Sequence, residues 1–386
     1  MAPLPGPRMS SFLPLAVGLF LAYHAIILVE GGRAITSRLS WEEDLEFERQ
    51  LNILNKPPIK TMHTRRGAIY DCIEFYKQPA FDHPLLKNHE IPKKDETASP
   101  RLHTTLMMSQ IEECPKGTVP IRRTTKEDLS RAKYLSSTSN APGDEYRAGI
   151  SLQIEGERFF GASGVANIWH PNVNPDQFSG AETALRAGPE EQINEIRFGW
   201  TVNPQLYGYN LTSMFAYWTS DGGKTTGCYN TRCPGFVQVD PQVTPDMYIE
   251  KTSVLGGPTY GIHTNIIMDR ETEHWWLILE DKIKIGYWPK ELFQRFNLGA
   301  EYIYWGGHVK SGKDGIPEMG SGNLPDRIPE HTGYYSDLEY QDKDDVIWKP
   351  DQRVQITVDC EESYGSLWDN EHTILHFGGP GGGTCA

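Results

Sequence analysis

The chain has 386 residues, with 37 Lys and Arg against 51 Asp and Glu, a formal charge of −14. Its 38% hydrophobic and 11% aromatic content excludes a disordered polyanion and a polytopic membrane protein. The acidic balance argues against nucleic acid as a partner, since that needs a basic footprint.

In chain order, the first element is an apolar run, Phe12 to Val29, preceded by Arg8 and followed by the small residues Gly31, Gly32 and Ala34. This pattern predicts a signal peptide over 1–33, with a retained membrane anchor as the alternative. No later segment is apolar enough to span a bilayer, so after removal no membrane contact is expected. Ser40-Trp-Glu-Glu43 is a capping box. It predicts a helix carrying Trp41, Leu45, Leu51 and Leu54, stopped by Pro57-Pro58. Thr125-Lys-Glu-Asp128 opens a second, shorter helix through about Leu135, and the polar stretch Ser136–Gly143 reads as a linker.

Beyond the linker the period changes from helical to alternating. Ile150, Leu152 and Ile154 alternate with polar residues. So do Ile196, Phe198, Trp200 and Val202, then Val354, Ile356 and Val358, then Thr373, Leu375 and Phe377. Gly- and Pro-rich turns separate these runs. The fold class predicted is all-β, an antiparallel β-sandwich behind a smaller mixed α/β segment. Charge divides the same way: residues 34–149 are net +1 and residues 150–386 net −16. The second unit is strongly acidic, which hints at an acidic compartment.

Six cysteines, Cys72, Cys114, Cys228, Cys233, Cys360 and Cys385, behind a leader sequence read as three disulfides. Fifteen pairings exist for six cysteines. If each unit closes its own bridges, Cys72 pairs with Cys114; Cys228–Cys233 and Cys360–Cys385 are then the most local choice. The spacings suit zinc poorly, so neither metal nor cofactor is expected. Asn210-Leu-Thr212 is an N-glycosylation acceptor. The expected location is outside the cell, in the apoplast or cell wall, with the vacuole as alternative.

Longer motifs then become recognisable. The stretch from Gly67-Ala-Ile-Tyr-Asp-Cys72 to Leu86-Lys-Asn88, and Cys114-Pro-Lys-Gly-Thr-Val-Pro120, resemble the activation peptide of the neprosin family of plant secreted proteins. Tyr217-Trp-Thr-Ser-Asp-Gly222, Thr226-Gly-Cys-Tyr-Asn230, Ile285-Gly-Tyr-Trp-Pro289 and Tyr304-Trp-Gly-Gly307 resemble the neprosin domain. The resemblance runs from about residue 41 to the C-terminus. It implies a pro-segment over 34–148, a neprosin domain over 149–386, and a glutamic peptidase that cleaves after proline at acid pH. It also implies that the pro-segment lies on the groove and is cut away in the linker, between about Ser136 and Phe160. Docking is expected through Ile73, Phe75, Tyr76, Phe81 and Leu85, because the first unit is nearly neutral.

The chemistry implied is a pair of glutamates, one carboxylate activating water and one carboxylic acid protonating the leaving amide. Both glutamate positions are substituted here. The family's Glu-x-Gly-Trp reads Arg197-Phe-Gly-Trp200, and the glutamate after Trp-Gly-Gly is His308. Alternation puts Glu195, Arg197, Gly199 and Thr201 on one strand face, opposite Ile196, Phe198 and Trp200. A guanidinium cannot serve as a base. An imidazole does so only when neutral, above roughly pH 6.5. With both positions cationic, the site is expected to hold neither a charged base nor a neutral acid.

The sequence therefore predicts a peptidase scaffold that binds rather than cuts, its ligand a peptide, proline-rich or otherwise, or an acidic polymer gripped by Arg197. The alternative is an active endopeptidase in which Glu195, shifted by a bulge, works with His308. A third reading is a cell-wall protein recruited for its sandwich alone. Groove walls are expected among Trp200, Tyr217, Tyr304, Trp305 and Trp276, with Trp218, Trp275 and Trp288 as further candidates and core packing as the bland alternative for every Trp.

Overall fold

The computed structural model describes residues 44–92, 111–131 and 145–385. The predicted leader, the capping box and the Ser136–Gly143 linker lie outside the described residues. Contacts divide the chain at residue 53. In the first unit, residues 44–53 are helical, with Arg49 paired to Glu46 at 2.9 Å. From Leu54 onward the chain is one compact unit.

That unit contains three antiparallel sheets. The smallest orders β1 (Lys60–His63), β2 (Ile69–Glu74) and β3 (Thr118–Arg122) side by side. The second sheet comprises β5 (Gly161–Asn167), β10 (Val237–Gln238), β11 (Gly261–Met268), β12 (Trp275–Leu279), β13 (Ile283–Trp288), β15 (Gly333–Gln341), β16 (Ile347–Trp348), β18 (Gly365–Asp369) and β19 (Ile374–Gly378). The third comprises β4 (Glu145–Leu152), β6 (Phe178–Ala187), β7 (Asn194–Val202), β8 (Thr212–Thr219), β9 (Cys228–Tyr229), β14 (Tyr302–Lys310) and β17 (Gln355–Val358). Its order is β17-β4-β14-β6-β7-β8-β9.

The two large sheets pack face to face as a β-sandwich. Ile150, Leu185, Ile196, Phe198 and Ile303 from the third sheet share one buried cluster with Ala166, Ile266, Tyr335, Leu375 and Phe377 from the second. This is the period-2 pattern made physical: alternate residues enter the core and their neighbours face away. Trp200 and Trp305 lie in that core, each fully buried. Each bridges the sheets with its indole N–H, Trp200 donating to the Asn167 carbonyl at 2.8 Å and Trp305 to Ser163 at 3.2 Å. β17 is an edge strand, and there Ile356 points to solvent.

The three disulfides are Cys72–Cys114, Cys228–Cys233 and Cys360–Cys385, the locally closed set. Segment 54–131 docks on the sandwich through a shared core. Met62, Tyr70, Cys72, Leu86, Ile111 and Cys114 belong to the same buried cluster as the large sheets. Ala80, with Phe75 and Phe81, packs on Val237, Tyr287 and Trp276. Three of the five expected docking residues do not take part: Tyr76 and Leu85 are exposed, and Ile73 packs within its own sheet against Val119 and Ile121.

Polar contacts contribute more to this docking than net charge suggested. The Gln78 side chain pairs with the backbone of Gln238, donating at 3.1 Å and accepting at 2.8 Å. Tyr70 reaches Asp246 at 3.3 Å, and Asp128 pairs with Arg232 at 3.6 Å. A neutral total conceals a local arrangement of opposite charges. Among the described residues no helix is long and apolar enough to cross a membrane.

Candidate functional site

The site lies on the outer face of the third sheet, where β4, β14, β6, β7 and β8 run side by side. Register decides which side chains meet. Glu182 stands opposite Gly199 on one neighbour and Gly306 on the other. Neither glycine carries a side chain, so room is left for a carboxylate and for the groups two residues along each strand, Arg197 and His308. The glycines are also required by strand approach. A Cβ on Gly199 would stand 1.9 Å from the Ala181 carbonyl oxygen, and one on Gly306 2.5 Å from the Ala148 carbonyl oxygen.

Arg197 lies on one side of Glu182 and His308 on the other. Glu182 Oε2 is 3.4 Å from Arg197 Nη1 and 3.1 Å from His308 Nδ1, while Arg147 Nε approaches Oε1 at 3.5 Å. Arg197 Nη1 and His308 Nδ1 are 3.4 Å apart. The far nitrogen of His308, Nε2, meets Glu145 at 2.9 Å. An ionised carboxylate only accepts, so both contacts are hydrogen bonds only when both ring nitrogens carry protons. His308 is further fixed by Phe178, whose ring stands edge-on at 5.0 Å.

Glu195 does not join His308. It is held by Arg186 at 2.5 Å and by Arg197 Nε at 3.5 Å, and it is buried rather than on the surface. The flat side of the Arg197 guanidinium covers the Tyr217 ring at 4.1 Å. The groove candidates thus separate. Tyr217 stacks on Arg197, and Tyr304 lies on the site face beneath Arg147 at 6.0 Å, with its hydroxyl donating to Gly307.

Trp200 and Trp305 are corrected from groove walls to core, for they stand on the opposite face of their strands. Trp276 is corrected too: it belongs to the second sheet, where it packs on Tyr287 and beneath Lys284. Trp218, Trp275 and Trp288 are buried. Asn210 is exposed on the loop before β8.

A shallow pocket, open to solvent, lies beside this cluster. Phe178, Phe215 and Tyr229 form aromatic walls, Thr201 and Asn203 a polar edge, and Glu182, Arg197 and His308 the charged end. No lining residue comes from the described part of 54–131. Among the described residues no cluster of His, Cys, Asp or Glu is arranged to hold a metal ion.

Electrostatics corrects one expectation. Charged carboxylates are present, supplied by Glu182 and Glu145 beside Arg197 and His308. Burial alone would raise the Glu182 carboxyl; His308, Arg197 and Arg147 outweigh it and hold the group well below the ordinary range. Glu145, raised by burial but lowered more by His308, falls to about 2. Glu195 is likewise lowered, burial being outweighed by Arg197 and Arg186. Three carboxylates therefore stay ionised through the mildly acid range, each committed to a cation.

The sequence-profile comparison bears on this geometry. The neprosin domain profile matches residues 175–380, more than half the chain, and the neprosin activation peptide profile matches residues 61–151. The chain belongs to the neprosin family. Its match to the activation peptide ends inside β4, so Glu145 and Arg147, which touch His308 and Glu182, lie within that stretch.

Solved structures similar to this neprosin-family chain include scytalido-glutamic peptidase with a peptide-based transition-state analog (13% identity, TM-score 0.35, 61% of this chain and 98% of that one). The same peptidase with a transition-state analog inhibitor matches at 11% identity and TM-score 0.37 over 60% of this chain and 97% of that one. SCP-B, a member of the Eqolisin family of peptidases, in complex with the tripeptide Ala-Ile-His, matches at 12% identity and TM-score 0.33, covering 61% and 98%.

Proposed function

We propose that this neprosin-family protein uses a glutamic-peptidase scaffold, made with its own pro-segment, to bind peptide without hydrolysing it. The observation that supports this is the 3.4 Å approach of Arg197 to His308, both resting on the buried Glu182. Hydrolysis by a carboxyl pair needs one charged and one neutral carboxyl together. Here Glu145, Glu182 and Glu195 are all held below their ordinary range by cations, so none retains a proton to give to a leaving amide. Carboxylates so stabilised are also weak bases.

Peptide suits the pocket better than an acidic polymer. Arg147, Arg186 and Arg197 already face Glu182 and Glu195, and Arg197 contacts both, so Arg197 has little charge left to grip an external carboxylate. The aromatic residues Phe178, Phe215 and Tyr229 beside the cluster instead offer an apolar surface against which a peptide can lie. In this reading the domain begins at Glu145, ahead of residue 149, which is supported by β4 lying between β17 and β14. Secretion through the N-terminal leader and a glycan at the exposed Asn210 complete the proposal.

The test is incubation of the chain, with its 132–144 stretch intact and cut, with a proline-containing fluorogenic peptide from acid to neutral pH. No turnover is expected in either form, together with saturable quenching of protein fluorescence. Measurable cleavage at any pH would overturn the reading.

A further inference from the structure

We infer that Glu182 is the positioning residue on which Arg197 and His308 depend, and that glutamates cannot replace that pair until Glu182 is neutralised. The inference rests on the mapping of Arg197 and His308 onto the family's glutamate positions, and extends it to a third site.

Glu182 has no exposed surface. A buried carboxylate is tolerated only when opposite charge and hydrogen bonds surround it. Its near partners come from three strands: Arg147 on β4, Arg197 on β7 and His308 on β14. Two further carboxylates, Glu145 and Glu195, share those partners, Glu145 through His308 and Glu195 through Arg197. The tyrosines whose ionisation is coupled to this group are Tyr229, Tyr304 and Tyr335, with Tyr217 beside Arg197. Counting Arg147, Arg186 and Arg197 against Glu145, Glu182 and Glu195, the native cluster balances. Exchange of Arg197 and His308 for glutamates leaves two cations facing five carboxylates, with Glu182 at the centre and the glycines beside it offering no donor.

The dependence runs in both directions. While Arg197 and His308 are present, Glu182 satisfies them. Once they are gone, the same carboxylate is a buried charge with Arg147 as its remaining cation. Glu182→Gln must therefore change the sign of its effect with its surroundings, which a role in packing alone would not do.

The experiment measures the thermal midpoint of the full chain with and without E182Q in three backgrounds: native, R197Q/H308Q and R197E/H308E. In the native background E182Q is expected to lower the midpoint, with partial recovery in E182D. In both substituted backgrounds it is expected to raise it. In R197E/H308E the rise is largest at neutral pH and shrinks at mildly acid pH, as crowded carboxyls take up protons. R197Q/H308Q adds no charge, so it reports even if R197E/H308E fails to fold. A lowering of similar size in every background, or a pH-independent effect in R197E/H308E, would overturn the inference. Turnover by the native chain would instead sink the mapping beneath it.

Discussion

His308 Nδ1 lies 3.1 Å from Oε2 of Glu182, a carboxylate sealed from solvent on the site face of the third sheet. Two residues 126 positions apart are made neighbours by the pairing of β6 with β14. The imidazole thereby links two carboxylates, since its other nitrogen is held by Glu145.

Glu182→Ala should be among the most damaging single changes in the protein. It strands Arg147 and leaves Arg197 with Glu195 alone and His308 with Glu145 alone. Breaking one side of a buried ion pair costs about 3–5 kcal/mol. Equilibrium urea unfolding should show a loss of that size without a change in slope. A loss below about 1 kcal/mol would indicate that water reaches the site freely.

Gly199→Ala should prevent folding rather than weaken it. The added methyl would lie 1.9 Å from a main-chain oxygen on the paired strand, and backbone cannot yield as a flexible side-chain tip can. Expression of this variant should give no soluble protein with native near-ultraviolet dichroism. The glycine of the Arg-Phe-Gly-Trp stretch is thus demanded by the sheet whatever chemistry the site performs.

These two residues show what could and could not be read from the sequence. Alternation at Ile196, Phe198, Trp200 and Val202 was legible, because β7 presents one face to the core and one to the site. The local disulfide set was legible from spacing within each unit. Glu182 was not, because β6 is buried on both faces and sits among Ala181, Thr183 and Ala184 with no polar alternation to mark it. Its meaning comes from register across four strands, and register is a tertiary fact. The tryptophans misled for a related reason. Trp200 and Trp305 adjoin the motif residues, but one step along a strand reverses the face.

Docking of the 54–131 segment should depend on Gln78. Its amide accepts from and donates to the Gln238 backbone, extending the edge of the second sheet by a side chain. Both groups are buried, so Gln78→Ala leaves one carbonyl and one N–H without a partner. The loss should be about 1–3 kcal/mol. Hydrogen exchange should show the added opening at residues 75–89 and in β10, with β6 and β7 unaffected. Uniform loss of protection across the sandwich would mean that the segment and the sandwich unfold together.

The same docking surface should respond to pH through His274. Its ring stacks on Tyr287 at 5.0 Å and faces His89 of the docked segment at 4.9 Å. Burial, then the neighbouring His89, lowers His274 from 6.5 to about 4; Lys290 acts in the same direction, and Glu291 and Asp269 oppose it. A histidine depressed in the folded state contributes stability that is complete above its unfolded value. That contribution is lost as pH falls from about 6.5 through about 4. Protection of residues 79–89 should fall across that window, after correction for intrinsic exchange. In His274→Phe, which keeps an aromatic face for Tyr287 but cannot titrate, the fall should be smaller. If the native chain and His274→Phe lose protection in parallel, the response arises elsewhere, and the His89–His274 contact is only packing.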